Sequence, residues 1–227
     1  DNWPADSVRA EFRPTASGYC FDMQHYQDAV RFANGALPLL RGSGATQKII
    51  DCLSNLSAAS ARMADYANAI RYGKEVLAMD RKTGDKSAIS SDLSNLAFMY
   101  LSSDRPADAR KYIVAAIKNS SDVDDSLRMA IQMGIASEVY QNLNDNAKAI
   151  EYATKAYEID MACRREGRAA IMLCQLAAVQ MGAGKTADAR ENLLKALPLL
   201  EKAGNIQTYS IACNQLGSIA LTDNQPE

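Results

Sequence analysis

The chain has 227 residues, of which 48% are hydrophobic, and its 25 basic and 27 acidic residues give a net charge of −2. Because these charges are mixed and form no basic stripe, nucleic-acid binding by this segment is not expected. The sequence has no apolar run of roughly 18 residues and no signal-peptide pattern, so no membrane contact by this segment is predicted either.

From residue 11 onward the sequence repeats every forty positions without an insertion. Each unit has an alanine at one position and a small residue twelve positions upstream of it. The alanines are Ala29, Ala69, Ala109, Ala149 and Ala189, and the small residues are Ser17, Ser57, Ala97, Ser137, Ala177 and Gly217. A fixed period of this length is typical of stacked units that present a surface. The sequence therefore predicts recognition rather than catalysis.

Each unit carries two helical patterns, with apolar residues at i, i+3, i+4 and i+7, separated by a short polar turn. The first helices, called A, are predicted at 6–22, 46–63, 86–103, 126–143, 166–182 and 206–222. The second helices, called B, are predicted at 26–41, 66–81, 106–119, 146–162 and 186–203. The units are thus 6–45, 46–85, 86–125, 126–165 and 166–205, with a half unit at 206–227, and together they make one domain, 1–227.

Glycines follow some of these helices, and prolines lie inside others. Three glycines follow B helices at equivalent positions, where a left-handed cap is expected: Gly44, Gly84 and Gly204. Pro14 is expected to bend or break the first A helix, and Pro38 and Pro198 to kink the last turns of their B helices.

At the end of the chain, Asp223-Asn224-Gln225-Pro226 is in phase with the A-to-B turn Ser103-Asp104-Arg105-Pro106. The sequence therefore stops where a further B helix is expected, and we interpret the chain as a piece of a longer protein. We expect the apolar side of 206–222, including Ile211 and Leu216, to lack partners there, which would permit a homodimer through this end.

The pattern resembles the tetratricopeptide repeat, in which a leucine and then a small residue mark helix A and alanines mark helix B. The pairs in helix A are Leu56-Ser57, Leu96-Ala97, Ala136-Ser137, Leu176-Ala177 and Leu216-Gly217, and helix B adds Val76, Ala116, Ala156 and Ala196 after the alanine ladder. The resemblance implies an all-α, right-handed superhelical solenoid of about five and a half repeats and about eleven helices. The usual unit has about 34 residues, and we place the excess at the B-to-A junctions, such as Met79 to Ala88.

The segment Gly182-Ala183-Gly184-Lys185-Thr186 is similar to part of a phosphate-binding loop. That motif requires a glycine where Val179 stands, and it requires a strand before the loop instead of a helix. The segment is therefore interpreted as the A-to-B turn of the fifth unit.

No metal site, cofactor or catalytic residue is predicted. His25 is the single histidine and is expected to be exposed in a turn, where neither a zinc site nor a triad can be built around it. The acidic cluster Asp122, Asp124 and Asp125 lacks the glycine and distal glutamate of a calcium loop, and fits a turn in which Asp125 or Ser126 caps a helix.

The five cysteines are odd in number and fit no CxxC metal spacing: Cys20, Cys52, Cys163, Cys174 and Cys213. Most fall inside predicted helices, where a free thiol is expected to behave as a small buried hydrophobe. Their number does not decide the compartment.

In tetratricopeptide arrays helix A lines the concave face, so the resemblance implies which positions form a groove. Position six of the units reads Thr15, Asn55, Asn95, Ile135, Gln175 and Gln215, position five reads Pro14, Ser54, Ser94, Gly134, Cys174 and Asn214, and position nine reads Gly18, Ala58, Phe98, Glu138, Ala178 and Ser218. The groove floor is thus mostly small and uncharged, and a row of amides crosses it.

An amide both donates and accepts, so such a row is suited to an extended peptide backbone. Phe98 would add an apolar anchor, and Arg62 and Glu138 would recognise charge. The candidate groove residues are Asn55, Asn95, Ser54, Ser94, Phe98, Arg62, Glu138, Gln175 and Gln215. In the alternative interpretation, the amides at position six bond between adjacent helices and serve the fold. The places that match the family's carboxylate clamp hold Pro14, Gly18, Asn55 and Ser94. Only Asn55 agrees with the clamp, so a clamp for an acidic C-terminus is not expected.

Three functions remain, each with a peptide or protein partner in the groove. The forty-residue period, with 80–86 and 91–97, resembles arrays of Bacteroidetes-type regulators. That resemblance implies a periplasmic ligand-sensing domain, followed by a membrane span and an AraC-type helix-turn-helix domain or a histidine kinase. The second function is an intracellular peptide receptor similar to Rap-like regulators, and the third is a scaffold or adaptor.

Overall fold

A computed structural model describes residues 6–120 and 125–223, and the described residues form eleven α-helices and no strand. The helices are α1 Asp6–Asp22, α2 Tyr26–Ser43, α3 Thr46–Arg62, α4 Tyr66–Thr83, α5 Lys86–Ser102, α6 Pro106–Ser120, α7 Ser126–Asn142, α8 Asn146–Ala162, α9 Glu166–Gly182, α10 Thr186–Lys202 and α11 Ile206–Asp223. The all-α prediction is confirmed, and no helix end differs from its predicted position by more than two residues.

The helices build two compact units, the first ending at Tyr112 and the second beginning at Ile113. In the first unit α1 packs against α2 and α3, and α4 packs against α3 and α5. In the second unit α7, α8, α9 and α10 each pack against the next helix in sequence. A single continuous array over 1–227 stays a prediction.

Each described turn between helices contains one residue in the left-handed backbone conformation, and these residues recur every twenty positions. After A helices they are Gln24, Ala64, Asp104, Asn144 and Gly184, with φ between 56° and 73°, and after B helices they are Gly44, Gly84, Arg164 and Gly204, with φ between 55° and 78°. The left-handed conformation predicted for Gly44, Gly84 and Gly204 is confirmed. The sequence analysis did not predict it at the four non-glycine positions that follow A helices.

Buried serine hydroxyls join helix A to helix B within a unit. The Oγ atoms of Ser17, Ser57 and Ser137 donate to the carbonyl oxygens of Ala29, Ala69 and Ala149 at 2.8, 2.8 and 2.9 Å. The two small-residue ladders therefore face each other, and small side chains allow the close approach. The serine hydroxyls thus add a hydrogen bond to this close packing.

The same twelve-residue offset brings larger side chains together at the A-to-B contact. The rings of Tyr100 and Tyr112 stack with centroids 5.1 Å apart, and those of Tyr140 and Tyr152 with centroids 5.4 Å apart. The same twelve-residue offset therefore describes the contact between helices A and B in both pairs.

The cores consist of aliphatic residues between the helix pairs. In the first unit Leu40, Leu53, Leu56 and Val76 are buried together. In the second unit the buried cluster includes Leu173, Leu193, Leu200 and Ile219. Burial of such side chains is the main source of stability in the fold.

The sequence predicts a bend or a break of the first helix at Pro14, and the break is wrong, since α1 runs from Asp6 to Asp22 without interruption. A bend at Pro14 stays a prediction. A proline inside a helix costs about 3 kcal/mol. Contacts of α1 with α2 and α3 offset this cost, and the Nη1 atom of Arg13 donates to the carbonyl oxygen of Gly35 at 2.9 Å. Pro38 and Pro198 likewise lie inside the uninterrupted helices α2 and α10.

Helix α11 presents a partly apolar surface. Ala212 and Ile219 are buried, whereas 48% of Ile211 and 71% of Leu221 are exposed. Leu216 packs against the core of the second unit, so the expectation that it lacks partners is wrong. The segment 224–226 lies outside the described residues, and association of two copies through this end stays a prediction. None of the described helices is long and apolar enough to cross a membrane.

The five cysteines are free, and the expectation that they are buried is correct for only some of them. Cys52 and Cys174 are buried, and burial raises the pKa of each thiol to about 11. Cys20 is half-buried, while Cys163 and Cys213 are exposed, so the expectation of burial is wrong for these two. Cys163 lies just after α8, and Cys213 lies on the exposed side of α11.

The two turn residues examined as possible ligands occupy ordinary turn positions. The side chain of His25 is 65% exposed, as predicted, and it precedes α2. Asp125 caps α7 by accepting a hydrogen bond from the backbone N–H of Arg128 at 2.9 Å, which confirms its predicted role. Asp122 and Asp124 lie outside the described residues.

Candidate ligand groove

The first unit contains a cavity of about 500 Å³ lined by residues of α1, α3, α4 and α5. Its apolar lining consists of Ala58, Ala61, Val76 and Met99, its aromatic lining of Phe21, Tyr66 and Phe98, and its polar lining of Ser54, Ser57, Arg62, Asp92 and Asn95. Ligand sites are typically concave, mostly apolar and furnished with a few polar groups. This cavity is the candidate functional site, and we call it the α3–α5 cavity.

Gly73 keeps the helices around the cavity close together. A Cβ atom at this position would lie 3.2 Å from Cδ2 of Leu96 and 3.3 Å from Oγ of Ser57. A larger residue would therefore push α4 away from α3 and α5, and the cavity would change shape.

Four of the predicted groove residues line the α3–α5 cavity: Ser54, Arg62, Asn95 and Phe98. Ser54 is half-buried, and the other three are exposed, Phe98 by 52%. Within the part of the chain that the structure describes, no hydrogen bond engages the amide of Asn95. The cavity therefore combines a guanidinium, a free amide and an exposed aromatic ring, which can contact an anion, a peptide unit and an apolar group respectively.

Asp92 is a residue of the cavity that the sequence analysis missed. Its side chain forms a hydrogen bond with that of Asp80, which lies on α4 and is only 7% exposed. Burial, followed by the hydrogen bond and the negative charge of Asp80, raises the pKa of Asp92 to about 8. Its Oδ2 atom is buried and has no hydrogen-bond partner among the described residues. Such a group in a cleft is a candidate functional residue.

Asn55 does not line the α3–α5 cavity. It lies half-buried in a neighbouring pocket with Pro14, Thr15, Lys48 and Asp51. Only 7% of Ser94 is exposed, and its Oγ atom donates to the carbonyl oxygen of Ser90 at 2.8 Å. The structure thus separates Asn55 and Ser94 from the other candidates of the first unit.

The remaining three candidates, Glu138, Gln175 and Gln215, belong to the second unit. Glu138 is exposed, and partial desolvation by the surrounding protein raises the pKa of its carboxyl. The Nε2 atom of Gln175 donates to the carbonyl oxygen of Gly134 on α7 at 3.1 Å. This bond between adjacent A helices matches the alternative interpretation, in which the amides at position six serve the fold. Gln215 is half-buried, and its Oε1 atom has no hydrogen-bond partner among the described residues.

Among the described residues, no three His, Cys, Asp or Glu side chains cluster in a way that could coordinate a metal ion. The glycine-lysine-threonine segment forms the turn between α9 and α10, where Gly184 has a φ of 73°. The groups that the α3–α5 cavity offers are suited to binding through hydrogen bonds, charge and apolar contact.

Comparison with known proteins supports the repeat assignment. Models of the tetratricopeptide repeat match residues 49–83 and 133–162. Tetratricopeptide repeat protein 29 of Trypanosoma brucei brucei is 31% identical over 120 residues, which are 52% of this chain and 24% of that protein. The chain therefore contains tetratricopeptide repeats and spans about a quarter of the length of this curated relative.

Solved structures share the fold. One is a signal transduction ATPase with numerous domains and a tetratricopeptide repeat sensor, from Pyrococcus horikoshii; its TM-score is 0.79 at 13% identity over 99% of this chain and 35% of that one. Another is a Rap protein complexed with Competence and Sporulation Factor, with a TM-score of 0.70 at 13% identity over 96% of this chain and 67% of that one. At such identities the likeness establishes the fold alone, and it confirms the predicted tetratricopeptide solenoid.

Proposed function

We propose that this chain is the peptide-sensing domain of a larger membrane-anchored bacterial transcriptional regulator or sensor kinase. Tetratricopeptide repeats are protein-interaction modules and are generally non-catalytic, and their stacked helices offer extended surfaces for partners. The observation that carries the peptide proposal is the α3–α5 cavity, where Arg62, Asn95 and Phe98 are exposed together.

The cavity suits an extended peptide better than a compact cofactor. A peptide unit presents one N–H and one C=O, and the free amide of Asn95 can pair with both. Phe98 and the small side chains of Ala58 and Ala61 would accept an apolar residue of the peptide, and Arg62 would pair with a carboxylate.

The solved structures provide two precedents for this use of the fold. The ATPase from Pyrococcus horikoshii carries a tetratricopeptide repeat sensor, and the Rap protein was crystallised with Competence and Sporulation Factor. The first favours a sensor within a larger protein. The second favours the alternative, an intracellular peptide receptor, and a plain scaffold or adaptor is the third possibility.

An array of N-acetylated, C-amidated decapeptides tests peptide recognition. We expect Asn95→Ala and Phe98→Ala each to weaken capture at least fivefold, the effect of losing about 1 kcal/mol of contact. Leu194→Ala is the matched control, because Leu194 is 55% exposed but lies on α10, outside the cavity. Far-UV circular dichroism should be unchanged in all three variants. Equal capture by all of them would contradict the proposal.

The larger context is tested in the parent gene. An apolar segment of about 20 residues after position 227, followed by a helix-turn-helix or kinase domain, is the expected result. If the gene instead ends after one capping helix, the membrane-anchored regulator is excluded and the intracellular receptor or scaffold remains.

A further inference from the structure

The contact between Asp80 and Asp92 is peculiar to the second and third forty-residue units. The position of Asp80 in helix B is occupied elsewhere by Leu40, Ser120, Asp160 and Leu200, and the position of Asp92 in helix A by Cys52, Gln132, Met172 and Ala212. No other unit therefore places two carboxyl groups against each other at this junction, and the repeat fold does not require them.

The one other aspartate at these positions has cationic partners, whereas none contacts Asp80 among the described residues. Asp160 is fully buried, and its Oδ1 atom lies 2.6 Å from Nε of Arg165, with Arg168 also in contact. The residues equivalent to these arginines are Asp85 and Ala88 for Asp80. Asp85 is a carboxylate that caps α5, so it cannot neutralise Asp80.

In the described part of the chain, the carboxyl groups of Asp80 and Asp92 therefore lack the kind of positive partner that Asp160 has. A buried charge needs a partner, and two carboxylates in contact cannot both ionise without strong repulsion. The raised pKa of Asp92 means that its carboxyl keeps a proton beside Asp80, which relieves this repulsion. The buried Oδ2 atom of Asp92 has no hydrogen-bond partner among the described residues. Since Asp92 also lines the α3–α5 cavity, a positive group placed there would complete the pair.

We propose that Asp92, backed by Asp80, makes the α3–α5 cavity selective for peptides that insert a basic side chain, an ammonium or a guanidinium group. This inference rests on the proposed peptide recognition and names the class of peptide. The apolar walls formed by Val76 and Met99 suit the aliphatic part of a lysine or arginine side chain.

The other ionisable groups around the cavity fit a peptide whose basic residue lies near Asp92. Asp80 is the charge that acts on Asp92 in the fold, and Tyr66 and Arg62 line the same cavity from α4 and α3, while Lys86 lies in the first turn of α5. Arg62 is ten residues further along its A helix than the position equivalent to Asp92, which corresponds to about 15 Å of helix rise. A bound peptide would thus place its basic residue near Asp92 and an acidic residue or carboxylate near Arg62.

Insertion of the cation has a chemical consequence that can be measured. The shared proton leaves the carboxyl pair for the solvent, and the cation takes its place between two carboxylates. Binding of a basic peptide should therefore release about one proton at neutral pH and become up to about tenfold tighter per pH unit between pH 5 and 8. A neutral peptide should release none.

The test uses the decapeptide array with one fixed central residue, Arg, Lys, citrulline or norleucine, and random flanks of Ala, Ser, Leu and Phe. The tightest arginine peptide and its citrulline counterpart are then titrated by calorimetry in phosphate and in Tris, whose ionisation enthalpies differ. We expect the wild type to prefer the arginine or lysine peptides at least tenfold and to release a proton. Asp92→Asn should lose both properties, and Asp188→Asn, which removes the same charge from an exposed position on α10, should keep them.

Two results separate this inference from the proposed function. If wild type binds arginine and citrulline peptides equally and releases no proton, the basic-peptide inference is overturned while peptide recognition stands. If no peptide of any class binds, both are overturned. If the variant Asp92→Asn keeps the preference for basic peptides, the selectivity lies elsewhere and the inference is wrong.

Discussion

A buried serine hydroxyl joins helix A to helix B by a hydrogen bond in three of the units. Ser137 is fully buried, and its Oγ atom donates to the carbonyl oxygen of Ala149 at 2.9 Å. Ala97 and Ala177 occupy the same position in other units and are also fully buried, so this position accepts alanine as well. A small side chain is therefore required at this position, and the hydrogen bond of serine stabilises the contact further.

We expect Ser137→Ala to lower the free energy of unfolding by about 1 kcal/mol, the usual net contribution of one buried hydrogen bond. Urea denaturation measures the change. Ser210→Ala is the control, because the exposed Ser210 bonds only to its own helix and its loss should have little effect. Equal effects of the two substitutions would mean that the bond to Ala149 contributes nothing.

Ala64 adopts a backbone conformation that suits glycine better. Its φ is 59°, it is exposed, and it occupies the turn position that Gly184 fills in the fifth unit. We expect Ala64→Gly to raise the free energy of unfolding by about 1 kcal/mol, because the left-handed conformation costs an L-residue roughly this much. Gly84→Ala, at a φ of 78°, should have the opposite sign. Destabilisation by Ala64→Gly in thermal and urea melts would show that unfolded-chain entropy outweighs the strain.

The candidate site was predictable from the sequence only in part, and individual residues show why. Asn55 and Asn95 are one period apart, yet only Asn95 lines the α3–α5 cavity. The fold resemblance names positions that face a groove, but the exposure of each side chain depends on its neighbours, as the inward hydroxyl of Ser94 shows. Asp92 could have been found from the sequence, because it is the one carboxylate at a position that other units fill with uncharged residues.

At the scale of elements, the contact between α4 and α5 has a built-in dependence on pH. The pKa of Asp92 in the fold, about 8, lies above the 3.8 of an unperturbed aspartate. Between these values the folded protein keeps a proton that the unfolded chain has released. The stability contributed by this proton is complete below about pH 4 and is lost as the pH rises towards about 8.

The variant Asp92→Asn should remove this dependence. We expect the difference in unfolding free energy between variant and wild type to grow in favour of the variant from about pH 5 to about pH 8 and then to level off. The limit for one proton is about 1.4 kcal/mol per pH unit. Urea denaturation over this range measures it, and Glu138, whose pKa is also raised, is common to both proteins. A constant difference at all pH values would show that Asp80 and Asp92 share no proton.

The helices themselves were predictable because several local signals agree. The apolar spacing, the polar turns and the fixed period place each helix end to within two residues. Pro14 is the exception, because local propensity predicts a break and tertiary contacts of α1 prevent it. Packing overrides propensity wherever a helix is held by its neighbours, and a single sequence does not show that contact.

For the whole molecule, the repeat construction makes stability local. In a solenoid each helix pair contacts only its neighbours. A destabilising core substitution therefore affects mainly its own helix pair and the adjacent ones. Leu193 is fully buried in the core of the second unit, whereas the next residue, Leu194, is 55% exposed. These two leucines form a matched pair of sites one position apart on α10.

Leu193→Ala should lower the stability of the second unit by about 3 kcal/mol, the typical cost of a buried leucine truncated to alanine. In hydrogen exchange followed by mass spectrometry, we expect faster exchange of amides between 125 and 223 and unchanged exchange between 12 and 100. Leu194→Ala should leave both regions as in the wild type. Faster exchange throughout the chain in Leu193→Ala would instead show that the two units unfold as one cooperative body, because the lesion would then be shared by helices that do not contact Leu193.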